Sequence, residues 1–129
     1  MTDQAIEQTI QAAGKTAPRV TPSDIEANIV GEHYFTAGDG AFPGDSLTDA
    51  EYAEYKALSL LTFCVLVLRN GFTVTGESAC ASPENFNAEI GKAIARTNAI
   101  NKVWPLMGHQ LKQAIYETQQ VITSMKASA

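Results

Sequence analysis

The side chains best suited to catalysis are few, and the histidines come first. The chain of 129 residues has two of them, His33 and His109. Neither has the spacing of a zinc-binding His-Glu-x-x-His motif, and the sequence contains no Gly-x-Ser-x-Gly or phosphate-loop motif. His33 stands beside Tyr34 and could line a pocket with it, or serve a partly buried structural role. We therefore predict no catalytic residues and no enzymatic activity.

Acidic side chains cluster in and after a glycine- and proline-rich loop at residues 38–46. Asp39 and Asp45 belong to the loop, and Asp49 and Glu51 follow it. A calcium loop needs ligands at alternate positions and a glutamate at position twelve, and this spacing does not match. We expect solvated acids here and predict no metal and no cofactor. A small metal-dependent hydrolase or nuclease that uses these acids is the alternative.

The long C-terminal segment carries polar groups that could bind a ligand. Lys92 and Arg96 are four residues apart and could clamp phosphates across an oligomer interface, or form a solvated helix face. Asn98 lies in the middle of a predicted helix, where asparagine is a poor helix former and invites a hydrogen-bonding role. That role is helix register or ligand recognition. Trp104, the sole tryptophan, could pack in the core, anchor an interface or stack on a base.

A second group of polar residues surrounds the predicted start of that helix. Glu77 and Ser78 precede Ser82, and helix N-termini bind anions, although Glu77 and Glu84 would repel a phosphate. Capping or turn formation is the alternative role. The residues predicted to bind a ligand or partner are His33, Tyr34, Thr73, Thr75, Glu77, Ser78, Asn85, Lys92, Arg96, Asn98 and Trp104.

Composition and charge narrow the class of protein. Hydrophobic residues make up 45% of the chain, charged residues 18%, and the formal net charge is −5. These proportions are typical of a globular protein. The scattered basic residues make nucleic-acid binding unfavourable, because phosphate neutralisation needs clustered Lys and Arg. The longest apolar run, residues 58–68, is too short to cross a membrane, and the N-terminus lacks a signal-peptide pattern. We expect a cytosolic protein without membrane contact.

The N-terminal third is predicted to be helical. Ile6 and Ile10 have helical spacing in a segment that ends at Gly14. A second helix begins at Thr21 and ends near Gly31, or continues to Phe35. Two capping boxes mark helix starts, Thr21 with Asp24 and Thr48 with Glu51.

Asn70-Gly71 predicts a β-hairpin with a two-residue turn. The strands are expected at residues 59–69 and 72–79, with residue i facing residue 141−i. One face is then the core: Phe63, Val65, Val67, Phe72 and Val74. The other face presents Thr73, Thr75 and Glu77 to water or to a partner. Cys64 and Cys80 match no zinc or redox motif and fall on opposite faces, so we expect two free thiols.

Ser82-Pro83 predicts the start of a helix over residues 83–126, with a kink near Pro105. Such a helix would be about 65 Å long, whereas a domain of this size has a radius of gyration near 14 Å. It therefore folds back at Trp104-Pro105 or at Gly108, or packs against a second copy. We expect a homo-oligomer of α+β fold: N-terminal helices, one hairpin and a long kinked helix. Its parts are residues 1–46 and 47–129, in one compact unit.

An ordered series of segments over residues 58–112 resembles a family of small, uncharacterised accessory proteins of tailed bacteriophages. The segments are Leu61-Thr62-Phe63-Cys64-Val65-Leu66-Val67-Leu68-Arg69-Asn70-Gly71-Phe72, Thr73-Val74-Thr75-Gly76-Glu77-Ser78-Ala79-Cys80, Pro83-Glu84-Asn85-Phe86-Asn87, Ile90-Gly91-Lys92 and Ala99-Ile100-Asn101-Lys102-Val103-Trp104-Pro105-Leu106. The helical N-terminal third is expected to be individual to this chain.

The resemblance implies a phage protein made in the host cytoplasm, and it supplies no catalytic residues. By analogy, small phage proteins outside the virion bind and neutralise a host factor. They sequester a nucleotide-type defence signal or block a host protein. A minor virion or assembly component is a further alternative.

Overall fold

The computed structural model describes residues 2–15 and 17–128 and has an α+β fold with one three-stranded antiparallel sheet. Its elements in chain order are α1 (Asp3–Ala12), α2 (Pro22–Asn28), β1 (Ile29–Thr36), α3 (Ala37–Ala41), α4 (Asp49–Leu58), β2 (Leu61–Leu68), β3 (Thr73–Ala79) and α5 (Ala88–Ser128). The contacts divide the chain into two units. One comprises Met1–Ala27 with Val103–Ala129, and the other is Asn28–Lys102.

The two helices predicted near the N-terminus are confirmed, with the end of α1 before Gly14 and the capping box of Thr21 and Asp24. The Thr2 hydroxyl accepts a hydrogen bond from the Ala5 N–H and caps α1, which ends just before Gly14. At α2, the Thr21 hydroxyl accepts from the Asp24 N–H and the Asp24 carboxylate accepts from the Thr21 N–H. These reciprocal bonds satisfy backbone donors that have no partner within the helix.

Strand β1 is the largest departure from the expected fold. The sequence predicted that α2 ends near Gly31 or continues to Phe35, and both versions are wrong, because α2 ends at Asn28. The residues that follow pair antiparallel with β2, from Ile29 opposite Leu68 to Thr36 opposite Thr62. The segment is rich in β-branched and aromatic residues, which pack well on a pleated sheet. The predicted hairpin is therefore part of a three-stranded sheet with β2 in the centre.

The hairpin is confirmed, but its predicted register is wrong by one residue. Val67 faces Thr73 and Leu61 faces Ala79, so facing residues sum to 140 rather than 141. The loop has three residues instead of two: the Gly71 N–H donates to the Leu68 carbonyl, and Gly71 has a φ of +89°. This is the turn followed by a left-handed residue that is common in three-residue hairpins.

A one-residue change of register exchanges the two faces of β3 relative to β2. The residues predicted to form the core are half-buried on β2, and Phe72 is 56% exposed. The buried face carries Thr62, Cys64, Leu66 and Leu68 of β2 instead, whereas Val74 of β3 is buried as predicted. We call this face, which α5 covers, the inner face, and the opposite one the outer face.

The one-residue change of register also changes the face of the sheet on which Cys80 lies relative to Cys64. Cys64 and Cys80 are both free, as expected. The predicted reason, that they lie on opposite faces of the sheet, is wrong. The Cys80 N–H donates to the Leu60 carbonyl, so Cys80 is level with residue 60 along the sheet. Four residues along a strand separate the thiols by about 13 Å, too far for a disulfide.

At Gly76 the backbone of α5 packs close against the inner face. A Cβ at this position would lie 2.1 Å from the Ala95 carbonyl oxygen and 2.3 Å from the Ala99 nitrogen. Ala95, Ala99 and Ile100 are buried on the facing side of the helix. The helix backbone can approach the strand this closely because Gly76 has no side chain and Ala95 and Ala99 have small ones.

Helix α5 begins later than the sequence predicted and does not fold back. Pro83–Asn85 forms a short 3₁₀ turn in which Ser82 makes no side-chain cap. The Asn87 side chain instead accepts a hydrogen bond from the Ile90 N–H at the start of α5. The helix then continues through Pro105 to Ser128, so the fold-back considered at Trp104-Pro105 or Gly108 is wrong. The bend at Pro105 stays a prediction.

The loop predicted at residues 38–46 is partly helical. The Thr36 hydroxyl accepts from the Asp39 N–H, and the Asp39 carboxylate accepts from the Thr36 N–H, which starts the five-residue helix α3. The second predicted capping box, Thr48 with Glu51, is confirmed at the start of α4.

Candidate functional site

Three of the predicted site residues meet at the β1 edge of the inner face. The Arg96 Nε on α5 donates to the Glu32 carboxylate at 2.8 Å, and the Tyr34 hydroxyl donates to the same carboxylate at 2.9 Å. The Lys92 Nζ lies 5.9 Å from the centre of the Tyr34 ring. Glu32 links the group, and the sequence did not point to it. The pattern around it predicted a helix, whereas in strand β1 residues 32 and 34 share a face.

The protonation of this cluster follows from its contacts. The Arg96 hydrogen bond holds the pKa of Glu32 below its ordinary value, with a smaller contribution from Tyr34. Partial burial, and next the bond to Glu32, raise the pKa of Tyr34 above its usual range. Burial also raises the pKa of the Cys64 thiol. At neutral pH the carboxylate is ionised while the phenol and the thiol keep their protons, so neither is an activated nucleophile or base.

Three further candidates gather at the opposite, β3 edge of the sheet. The Asn98 side chain on α5 donates to the Glu77 carbonyl at 2.8 Å. The Lys102 Nζ lies 3.8 Å from the Glu77 carboxylate, which also accepts from the Thr75 hydroxyl at 3.4 Å. Asn98 therefore connects α5 to β3 rather than setting a register between two helices, and α5 is attached to the sheet at both edges.

The basic groups considered as phosphate ligands already have acidic partners. Arg96 pairs with Glu32, and Lys92 lies 3.7 Å from the carboxylate of Glu89. A phosphate bound by Lys92 and Arg96 would have to compete with both carboxylates. This arrangement is a poor match to an anion site.

The outer face of the sheet carries a row of apolar side chains. Phe35 of β1 and Phe63 of β2 lie with ring centres 5.7 Å apart, and Phe35 is 42% exposed. Val65 and Val67 continue the row along β2 and are half-buried. Exposed polar residues border this row: His33 on β1, and Thr73, Thr75 and Glu77 on β3. The outer face thus has an apolar centre and a polar rim, the composition of many protein interfaces.

The remaining candidates lie elsewhere. Ser78 faces Thr62 on the inner face and is half-buried. Asn85 is exposed in the 3₁₀ turn. Trp104 belongs to the unit formed by the two ends of the chain, where its indole N–H donates to the Asp3 carboxylate at 3.1 Å. The predicted residues therefore do not form one site: they form two clusters at the sheet edges, a rim on the outer face and separate positions.

The acids considered for a hydrolase line an open cavity of about 600 Å³. Asp39, Asp45 and Asp49 contribute to its wall together with Phe42 and Tyr55. Asp39 already accepts the Thr36 N–H, and Glu51, held at lowered pKa by its bonds to Thr48, caps α4. Within residues 2–15 and 17–128, no group of three or more His, Cys, Asp or Glu is arranged to hold a metal ion.

No helix in the described part of the chain has both the length and the hydropathy needed to span a bilayer.

The fold and the partly exposed outer face of the sheet define a small α+β protein with a candidate binding surface. Residues 20–115 match the Phage protein (N4 Gp49/phage Sf6 gene 66) family, and because this is most of the chain, the protein belongs to that family. The resemblance to phage proteins is confirmed, and the match begins at residue 20 instead of 58, so it includes much of the N-terminal third. No curated protein and no solved structure matches the chain.

Proposed function

We propose that this phage protein acts without catalysis, by binding a host protein and so neutralising a host defence in the host cytoplasm. The observation that supports it best is the partly exposed apolar row on the outer face of the sheet. Protein domains are normally built from two or more layers that bury both apolar surfaces between them. Here α5 covers one face of the sheet, whereas the apolar row on the other face keeps contact with solvent, and Phe35 is 42% exposed.

The sequence of β2 supports the same conclusion. Leu-Thr-Phe-Cys-Val-Leu-Val-Leu is almost continuously apolar, a pattern typical of strands that are covered on both sides. A strand with one solvated face usually alternates between apolar and polar residues. Along β2 the inner residues are buried, whereas Phe63, Val65 and Val67 keep partial contact with solvent. A partner protein that packs on this row would bury its remaining exposed area.

A nucleotide-type signal is the less favoured ligand. It carries phosphates, and the cations of Lys92, Arg96 and Lys102 are each close to a carboxylate. The formal net charge of −5 adds long-range repulsion of anions. The outer face, by contrast, offers apolar area and hydroxyl groups, which suit a protein surface.

The proposal can be tested with variants of the outer face in phage-infected host cells. Phe35→Asp places a charge in the apolar centre, and Thr75→Lys places one on the exposed rim without disturbing the core. Ile90→Asp is the matched control, because Ile90 is 59% exposed outside the sheet, in the first turn of α5, where an acidic residue is favourable. We expect both outer-face variants to lose the host protein that co-purifies with the wild type, and to lose protection of the phage. Ile90→Asp should keep both.

The purified complexes should be weighed by native mass spectrometry and then denatured. Release of an intact nucleotide, with no host protein bound, would overturn the proposal in favour of signal sequestration. Turnover of nucleotides with added magnesium, manganese or zinc would favour the hydrolase. Recovery of the protein in purified virions would indicate an assembly component. Retention of the host protein by both outer-face variants would move the interface elsewhere.

A further inference from the structure

The unit formed by the two ends of the chain contains a small cavity that the proposed function does not use. It measures about 260 Å³, and its apolar wall is formed by Ile6, Ile10, Val20 and Pro22. Trp104, Asp3 and Glu7 complete the lining. Cavities for drug-sized ligands measure about 300–1,000 Å³, so an occupant here has to be small.

The two carboxylates differ in how they are neutralised. Glu7 is 6% exposed and forms a two-pronged ion pair with Arg19, and it also accepts from the Gln11 amide at 2.7 Å. The Glu7 charge is therefore fully compensated. Asp3 accepts only the neutral indole N–H of Trp104 and, among the described residues, makes no ion pair. The cavity consequently carries one negative charge without a cationic partner in that part of the chain.

An apolar cavity with one uncompensated carboxylate and one indole ring favours a cationic ligand over a neutral or anionic one. A carboxylate binds an ammonium group through charge-assisted hydrogen bonds. Tryptophan is the aromatic side chain that attracts cations most strongly over its face. An anionic ligand would be repelled by Asp3, and a neutral ligand would gain only from contacts with the apolar wall.

We propose that this cavity binds a small organic ammonium ion. Its apolar part contacts Ile6, Ile10 and Pro22, and its charged nitrogen lies beside the Asp3 carboxylate and the Trp104 ring. This site is separate from the outer face of the sheet and does not depend on the function proposed for it.

The sole tryptophan makes the test direct, because Trp104 fluorescence reports occupation of the cavity. The wild-type protein should be titrated with cyclohexylammonium, with the neutral cyclohexanol of similar shape, and with cyclohexanecarboxylate. We expect cyclohexylammonium to bind at least about tenfold more tightly than cyclohexanol, since one charge-assisted bond and a cation–π contact separate them. Cyclohexanecarboxylate should not bind at millimolar concentration. Equal affinities for the first two probes would overturn the proposal.

Asp3→Asn assigns the effect to one side chain, because it removes the charge and keeps an acceptor for the indole N–H. We expect it to weaken cyclohexylammonium binding about tenfold and to leave cyclohexanol binding unchanged. Glu117→Gln removes the same charge further along α5, thirteen residues or about 20 Å from Trp104, and should change neither affinity. Undiminished cyclohexylammonium affinity in Asp3→Asn would refute the site. If circular dichroism shows that Asp3→Asn disturbs α1, the wild-type comparison of the three probes still decides.

Discussion

Glu7 is a buried, ion-paired residue that its position in the sequence did not distinguish from the other acidic residues. It is one of 14 acidic residues, in a helix with a weakly apolar pattern. In the folded chain its carboxylate is almost completely covered, and both oxygens accept hydrogen bonds from Arg19. The Arg19 bond lowers the pKa of Glu7 to about 2, against the opposing effect of burial and with further help from Gln11.

This pKa predicts how stability depends on pH. A carboxyl group whose pKa is lowered by folding stabilises the folded state fully above its ordinary pKa of 4.5, and the contribution disappears as the pH falls towards 2. We expect Glu7→Gln to melt at a lower temperature than the wild type at pH 7, and the difference to shrink between pH 4.5 and pH 2. Melting curves across this range measure it. A difference that stays constant with pH would contradict the ion pair, and Glu117→Gln controls for the change in net charge.

The packing of α5 on β3 depends on a single residue without a side chain. The sequence predicted both elements but not the contact between them. That contact depends on the small residues Gly76, Ala95 and Ala99. A glycine inside a strand often marks the close approach of another backbone. At Gly76 that backbone is the helix itself.

We therefore expect Gly76→Ala to be strongly destabilising. The added Cβ would lie within 2.3 Å of helix backbone atoms, which cannot move aside as a flexible side chain can. Overpacking of this kind typically costs about 1–3 kcal/mol, and we expect the upper end of that range. Gly40→Ala is the matched control: it has open space and lies in α3, where alanine is favoured by about 0.5–1 kcal/mol. Urea denaturation measures both, and a neutral Gly76→Ala would show that α5 is not held against β3.

The C-terminal half of α5 is the part of the molecule that bears on oligomerisation. Beyond Leu111 every described residue of the helix is exposed, including the apolar Ile115, Val121, Ile122 and Met125. Ile115, Thr118, Ile122 and Met125 are spaced by three, four and three residues, the spacing of a coiled-coil seam. A second copy of the chain would cover this seam, and we propose a homo-oligomer assembled through it.

Size-exclusion chromatography with light scattering tests this proposal at micromolar concentration. We expect a mass that is a multiple of 13.8 kDa for the wild type and the monomer mass for Ile122→Asp. Gln120→Asp introduces the same charge on the opposite side of the helix and should leave the assembly intact. A wild-type protein that elutes as a 13.8 kDa monomer would contradict the proposal.

What the sequence determined by itself is the set of local signals. The capping boxes of α2 and α4, the end of α1 before Gly14 and the Asn70-Gly71 hairpin all depend on interactions within a few residues. Such interactions are present wherever the chain goes, so their residues predict them. The α+β class and the long C-terminal helix follow from these signals and from periodicity.

Only the tertiary structure decided which face of the sheet is the core and which residues meet there. The apolar run of β2 fits either face, and a third residue in the turn places Cys64, Leu66 and Leu68 in the core, where Phe63, Val65 and Val67 were predicted. Strand β1 could be recognised only with β2 beside it, because its pairing partners, from Thr62 for Thr36 to Leu68 for Ile29, are 26 to 39 residues away in the chain. The contacts of Glu32 with Arg96 and of Glu77 with Asn98 depend on that pairing. Long-range packing settles these choices, since it selects among local conformations of similar free energy.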